Sequence, residues 1–180
     1  MRIATKKLVL CALMTAIVFL ITFAPFLQIP SPISQGYYNI GDTAVMIAAI
    51  LLGRRYGFVA GAFGSALADL ARGSFIFVPI TFIVKGIEGY IVGAIARGGE
   101  ENQPSNLRKI LAVSAGALEM VVGYFIFELV VIRMIDKSLS VIAIVTDLPG
   151  NLIQGALSAV LALVFLTVLY RTKAVKKLLR

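Results

Sequence analysis

The chain has 180 residues, is 59% hydrophobic with a mean hydropathy of +0.96, and carries a net charge of +8 on only 14% charged residues. Soluble domains run at roughly 45–50% apolar and 25% charged residues, so this composition excludes a water-soluble domain and requires a bilayer. A span needs about 20 apolar residues, which limits this length to about six spans with no room for a soluble domain.

Six spans are predicted, approximately 8–27, 42–53, 56–72, 76–96, 109–133 and 148–170, within a single membrane domain covering 1–180. The first follows Arg2, Lys6 and Lys7. It exceeds a secretory signal core of about 7–15 residues and runs into a proline-containing loop, so it reads as a retained span. Cys11, the single cysteine, lies within it as a small apolar filler and excludes an intramolecular disulfide. The outer loop 28–41 holds Pro30, Pro32, Gly36, Tyr37 and Tyr38, a turn-rich composition suited to an ordered lid. Asp42 follows Asn39-Ile40-Gly41 and is expected to cap the next helix. The second and third spans are short and joined at Gly53-Arg54-Arg55-Tyr56-Gly57. Asp69 and Arg72, three residues apart at the end of the third, are expected to form a local salt bridge. After a corner at Gly73-Ser74 come the fourth span, a solvated inner linker at 98–106, the fifth span, an outer loop at 134–147 and the sixth span.

Basic residues set the orientation. Arg2, Lys6 and Lys7, Arg54 and Arg55, Arg97, Arg108 and Lys109, and Arg171, Lys173, Lys176, Lys177 and Arg180 all fall on one side, leaving Arg72, Lys85, Arg133 and Lys137. Both termini are therefore expected in the cytoplasm, and the positive charge reads as topology, with no nucleic-acid partner. Ala12/Ala16, Gly57/Gly61, Ala62/Ala66, Gly89/Gly93 and Gly155/Ala159 have the small-xxx-small spacing that lets helix backbones approach within one chain.

An ionisable group in hydrocarbon costs a few kcal/mol or more, so it needs a partner, a wet cavity or a ligand. Lys85 and Glu88 share one face of the fourth span, and Glu119 lies near the middle of the fifth. Two readings stay open: an ion pair that only fixes helix packing, or the lining of a polar cavity. Asn151 and Gln154, on one face of the sixth span beside Asp147 and the Pro149-Gly150 break, add more polar groups than one ion pair requires. Their amides offer a donor and an acceptor each, as a heteroaromatic edge demands. Tyr37, Tyr38, Phe75, Phe77 and Tyr124 are candidate stacking surfaces.

Histidine is absent, which removes zinc motifs of the H-E-x-x-H type and His-based triads, and neither a metal nor a cofactor is expected. No G-x-x-x-x-G-K-[ST] motif is present, so the chain does not power itself with ATP in the usual way, and the halves show no obvious inverted repeat.

The stretch NIGDTAVMIAAILLGRRYGFVAGAFGSALADL from Asn39 to Leu70, followed by PITFIVKGIEG from Pro79 to Gly89, resembles the S-component family of energy-coupling-factor (ECF) transporters. The similarity is greatest to the riboflavin-type branch that includes proposed hydroxymethylpyrimidine and pyridoxine carriers. Ala12-Leu13-Met14-Thr15-Ala16 matches the AxxxA of the family's first helix. The resemblance implies an all-α membrane protein of the prokaryotic plasma membrane. It would capture a water-soluble vitamin at its outer face and topple when joined by a membrane T component and two ATP-binding-cassette ATPases. Lys85, Glu88, Glu119, Asn151 and Gln154 would face the ligand, with Tyr37, Tyr38 and Asn39 of the lid closing over it, and Ala12 and Ala16 would face the T component. Pyridoxine or hydroxymethylpyrimidine suits such a pocket, with riboflavin next. Three other classes are weighed against this: an intramembrane enzyme using Glu119 or the Lys85/Glu88 pair, with no nucleophile or metal cluster behind it; a structural or channel-forming protein; and a self-sufficient proton-coupled carrier.

Overall fold

The computed structural model describes residues 3–31, 37–98, 103–132, 134 and 140–172. Pro32, Gly36, Arg133, Lys137, Arg2 and the basic tail residues Lys173, Lys176, Lys177 and Arg180 lie outside the described residues, as do residues 99–102 of the inner linker.

Six helices are described: α1 (Ile3–Phe23), α2 (Gly41–Leu52), α3 (Arg54–Arg72), α4 (Val78–Arg97), α5 (Asn106–Phe127) and α6 (Val141–Arg171). Four helical stretches are long and apolar enough to cross a membrane: Thr5–Phe23, Val78–Arg97, Asn106–Val130, which runs past the end of α5, and Ile144–Arg171. The apolar α2 has 12 residues, about 18 Å of helix against a hydrocarbon core of about 30 Å. The 19 residues of α3 begin with two arginines and carry Asp69 and Arg72. Gly53, at a φ of 89°, lets the chain turn from α2 into α3 with almost no linker, and Gly73, left-handed at 80°, closes α3. The lipid-compatible surface is extensive, with Leu8, Leu13, Leu20, Ile83, Ile126, Ile153 and Phe165 all exposed, far beyond what water tolerates.

Two expected boundaries move. The sixth helix begins at Val141, so 141–147 are its first two turns and not outer loop. Pro149 lies inside it: the missing N–H costs one backbone bond, which membrane helices tolerate when neighbours satisfy the freed carbonyl. The fifth helix ends as an α-helix at Phe127 and widens into a π-helical segment, Glu128–Ile132. The 28–41 loop also contains a short antiparallel hairpin, β1 (Gln28–Pro30) with β2 (Tyr37–Asn39), pairing Gln28 with Asn39 and Ile29 with Tyr38.

Small residues bring α3 and α4 into backbone contact. A Cβ on Gly89 would lie 2.2 Å from the Gly57 carbonyl oxygen, one on Gly61 would lie 2.2 Å from that of Lys85, and one on Gly93 would lie 2.5 Å from Arg54 N. The Gly57/Gly61 and Gly89/Gly93 spacings therefore serve packing within the chain. An apolar cluster around Met46, Ile50, Val92, Val113, Ala162 and Leu166 fills the end of the bundle where α2 and α4 finish. The opposite end is polar.

Gly61→Val should force α3 off α4 and lower stability by about 1–3 kcal/mol, the usual cost of overpacking, read as a fall in melting temperature of the purified protein in detergent. An unchanged melting temperature would refute the close contact.

Candidate polar pocket beneath the hairpin

Asp42, in the first turn of α2, is 1% exposed and points into the bundle. One of its oxygens is ion-paired with Lys85 Nζ from α4, and the other accepts a hydrogen bond from Gln154 Nε2 of α6 at 2.9 Å. Lys85 Nζ also reaches Glu88 Oε2 at 3.1 Å, one turn along its own helix. The expected helix cap at Asp42 is thus corrected. The N-cap position is Ile40, with no side-chain cap; Asn39 Oδ1 accepts from Gly41 N at 2.6 Å in a local turn before the helix, and Asp42 supplies the counter-charge that a buried ammonium demands.

The hairpin roofs this cluster. Asn39 N donates to Gln154 Oε1 at 2.8 Å, so the Gln154 amide bridges lid and floor with both ends used. Tyr37 Oη donates to Asp69 Oδ1 of α3 at 2.6 Å, Tyr38 Oη donates to Asp147 of α6, and Ser31 Oγ donates to the same Asp147 oxygen at 2.7 Å. Gly150 makes room for the Tyr38 ring, since a Cβ there would lie 2.2 Å from Tyr38 Cζ. Burial, then the Asp69 charge and hydrogen bond, hold the Tyr37 phenol well above its ordinary value. Burial followed by the Asp147 hydrogen bond pushes Tyr38 up to about 12.

Between roof and floor lies a small polar cavity of about 40 Å³. Of the residues singled out by sequence, Lys85, Asn151, Gln154, Tyr37, Tyr38 and Asn39 line it together. Glu88 does not: fully buried, it stands behind Lys85 as a second counter-charge. Nor does Glu119, which is half-buried on a separate apolar groove between α4 and α5 with Phe75, Ile83, Ile87 and Phe127. The Asp69–Arg72 salt bridge is also absent. Asp69 turns inward to Tyr37, while the Arg72 guanidinium sits 4.8 Å over the Tyr37 ring and donates to the Phe23 carbonyl at 3.3 Å.

The lining includes residues that the sequence analysis did not assign to a ligand: Ser65 and Asp69 of α3, Thr81 of α4, Glu128 and Asp147. A signal for them existed. Ser65/Asp69, Thr81/Lys85 and Asp147/Asn151/Gln154 each repeat at i, i+4 or i, i+4, i+7, a polar stripe near one end of a helix. Tyr124 and Phe77 supply aromatic wall, with Thr81 Oγ1 and Tyr124 Oη 3.0 Å apart.

Lys85→Met should leave two buried carboxylates without their cation and destabilise the protein by about 3–5 kcal/mol. Adding Glu88→Gln should recover part of that loss in melting temperature; equal melting of wild type and K85M would disprove the role. In a difference titration against Tyr38→Phe, Tyr38 should ionise near pH 12, against 10 for an exposed phenol. Its contribution to stability is then complete below pH 10 and lost between pH 10 and 12, because the unfolded chain gives up this proton first.

Comparison with known proteins agrees with this architecture. A family model described as "ECF-type riboflavin transporter, S component" matches residues 2–171. A protein of Pyrococcus woesei, described as an uncharacterized protein in the gap 3' region, is 41% identical over 97 residues, 54% of this chain and 62% of its own length. The thiamine precursor transporter HmpT of Lactococcus lactis subsp. cremoris (strain MG1363) is 30% identical over 122 residues, 67% of this chain and 66% of its own. The chain spans just under two thirds of the length of each of these two relatives. With nearly the whole chain matched, the protein belongs to the family of S components of ECF-type riboflavin transporters.

Proposed function

We propose that this protein is the substrate-capturing subunit of an ECF-type ABC transporter in a prokaryotic plasma membrane. It binds a small vitamin or vitamin precursor in the hairpin-roofed pocket, and separate subunits supply the energy. The observation that carries this reading is a polar cavity closed by a tethered hairpin at one end of a bundle whose outer surface suits lipid. A packing-only role for Lys85 would need one partner. Here Lys85 has two, and the wall around it carries further polar groups that face empty space.

Hydroxymethylpyrimidine or pyridoxine is the favoured substrate, with riboflavin next. The relative described as a thiamine precursor transporter supports the first, and the family description keeps the last in view. Lys85, Asn151, Gln154, Tyr37, Tyr38 and Asn39 are the proposed contact set, with Glu88 acting through Lys85.

The proposed partners are a membrane T component and two ATPases, with six spans and cytoplasmic termini. Ala12 and Ala16 are exposed on α1 and border a shallow apolar groove completed by Leu67, Leu70 and Ala71 of α3. Small side chains on an exposed helix face let a partner helix approach closely.

The purified chain, without any ATPase, should bind one of pyridoxine, hydroxymethylpyrimidine or riboflavin at submicromolar concentration by calorimetry. Ala12→Leu with Ala16→Leu should keep that binding while abolishing uptake in cells that supply the partners. A folded protein that binds no vitamin would overturn the capture reading.

A further inference from the structure

The hairpin has two unlike sides. Its inner side makes the polar bonds described above. Its outer edge and the short helical turn before it, Pro25–Leu27, carry apolar side chains that the chain leaves bare: Phe26 is 86% exposed and Ile29 68%. Leu27, Ile29 and Ile40, together with Ile153 and Leu157 of α6, line an apolar groove of about 280 Å³ on the outside of the bundle. Tyr38, Asn39 and Gln154 line both this groove and the polar cavity, so these three residues form the partition between the two. The bond from Asn39 N to Gln154 Oε1 at 2.8 Å closes that partition.

The depth of the groove indicates what covers it. Ile153 and Leu157 begin a stripe of exposed side chains, continued by Val160, Val164 and Val168, that runs at helical spacing along α6. Measured from Arg171, the basic residue that ends α6, Ile153 is eighteen residues away. That is about 27 Å of helix, inside a hydrocarbon core of about 30 Å. The groove is therefore the end of a continuous lipid-facing surface, at a level that acyl chains reach. A lid edge bathed in water would not present Phe26 and Ile29 side by side with such a groove.

We propose that the acyl chain of a lipid in the leaflet nearest the pocket lies in this groove and seats the hairpin, so that the lid closes against lipid as well as against protein. With the groove filled, water cannot replace the Asn39–Gln154 bond from the membrane side, and a bond without that alternative is costly to break. The inference concerns the lid alone and holds whatever the pocket binds.

The chain contains no tryptophan, so single tryptophan reporters can be read without background. Ile29→Trp, and Phe26→Trp as a second reporter, are placed in phosphatidylcholine nanodiscs and exposed to dibrominated acyl chains or to aqueous iodide. Val164→Trp, on the α6 stripe, sets the scale for lipid contact. Brominated lipid should quench both lid reporters to within about twofold of the extent found for Val164→Trp, and iodide should have little effect. Ile29→Thr keeps a β-branched residue in the strand while withdrawing apolar surface from the lipid. In nanodiscs it should speed hydrogen exchange of the Asn39 amide about fourfold or more, the equivalent of one methylene removed from hydrocarbon, while α4 amides exchange as in the wild type. Quenching of the lid reporters by iodide in place of lipid overturns the proposal by putting the hairpin edge in water. Insensitivity to both quenchers overturns it in favour of a protein cover such as a second copy of the chain. Lipid quenching with unchanged Asn39 exchange in Ile29→Thr shows a chain that touches the hairpin without seating it, and overturns it as well.

Discussion

One buried ammonium organises the polar end of this protein. Lys85 is 3% exposed in a bundle whose surroundings are hydrocarbon, where an unpaired charge is not sustainable. Asp42 arrives from α2 and Glu88 from Lys85's own helix, and Gln154 of α6 then takes the second Asp42 oxygen. Three helices and, through Asn39, the hairpin thus depend on the position of one side chain. Buried ion pairs add little net stability, because desolvation offsets their attraction, but they penalise any arrangement that separates them. The cluster specifies geometry more than it adds stability.

The cluster is placed by residues that carry no charge. Gly61 of α3 lies against the backbone carbonyl of Lys85 and also close to Val45 of α2, so three helices converge beside the ammonium. A larger residue would separate α3 from α4 and move Lys85 away from Asp42. The glycine face and the ionic cluster are therefore one device: the first sets the helix separation and the second uses it. At the other end of the bundle Arg97 donates to the Ile50 and Leu51 carbonyls, satisfying acceptors left open where α2 ends.

The roof is held by directional polar bonds and not by apolar burial. Tyr37 reaches α3, Tyr38 and Asn39 reach α6, and the Gln28 amide donates to the Thr22 carbonyl at the end of α1. Each can be exchanged for a bond to water at modest net cost, since protein–protein and protein–water hydrogen bonds differ little in free energy. A strap tied in this way can release and re-form without disturbing the core beneath it. Under the proposed capture role, such a fastening would let the subunit admit a ligand and then close.

The membrane setting, the helical class and the existence of a polar pocket were legible in the sequence, because composition and the cost of burying charge act on residue types alone. Lys85, Asn151 and Gln154 stood out for that reason, and the glycine pairs carried their packing role in their spacing. Tertiary structure decided the partners. Asp42 and Asp69 each had a plausible neighbour within a few residues, an exposed helix end and Arg72. Each instead pairs across the bundle, because a buried counter-charge or phenol outweighs a solvated local contact. Glu119 satisfied every sequence criterion for the pocket and lies on another face, since helix rotation about its own axis is set by packing. The start of α6 before Pro149 was likewise hidden, because whether a proline ends a helix depends on neighbours that only the folded bundle supplies.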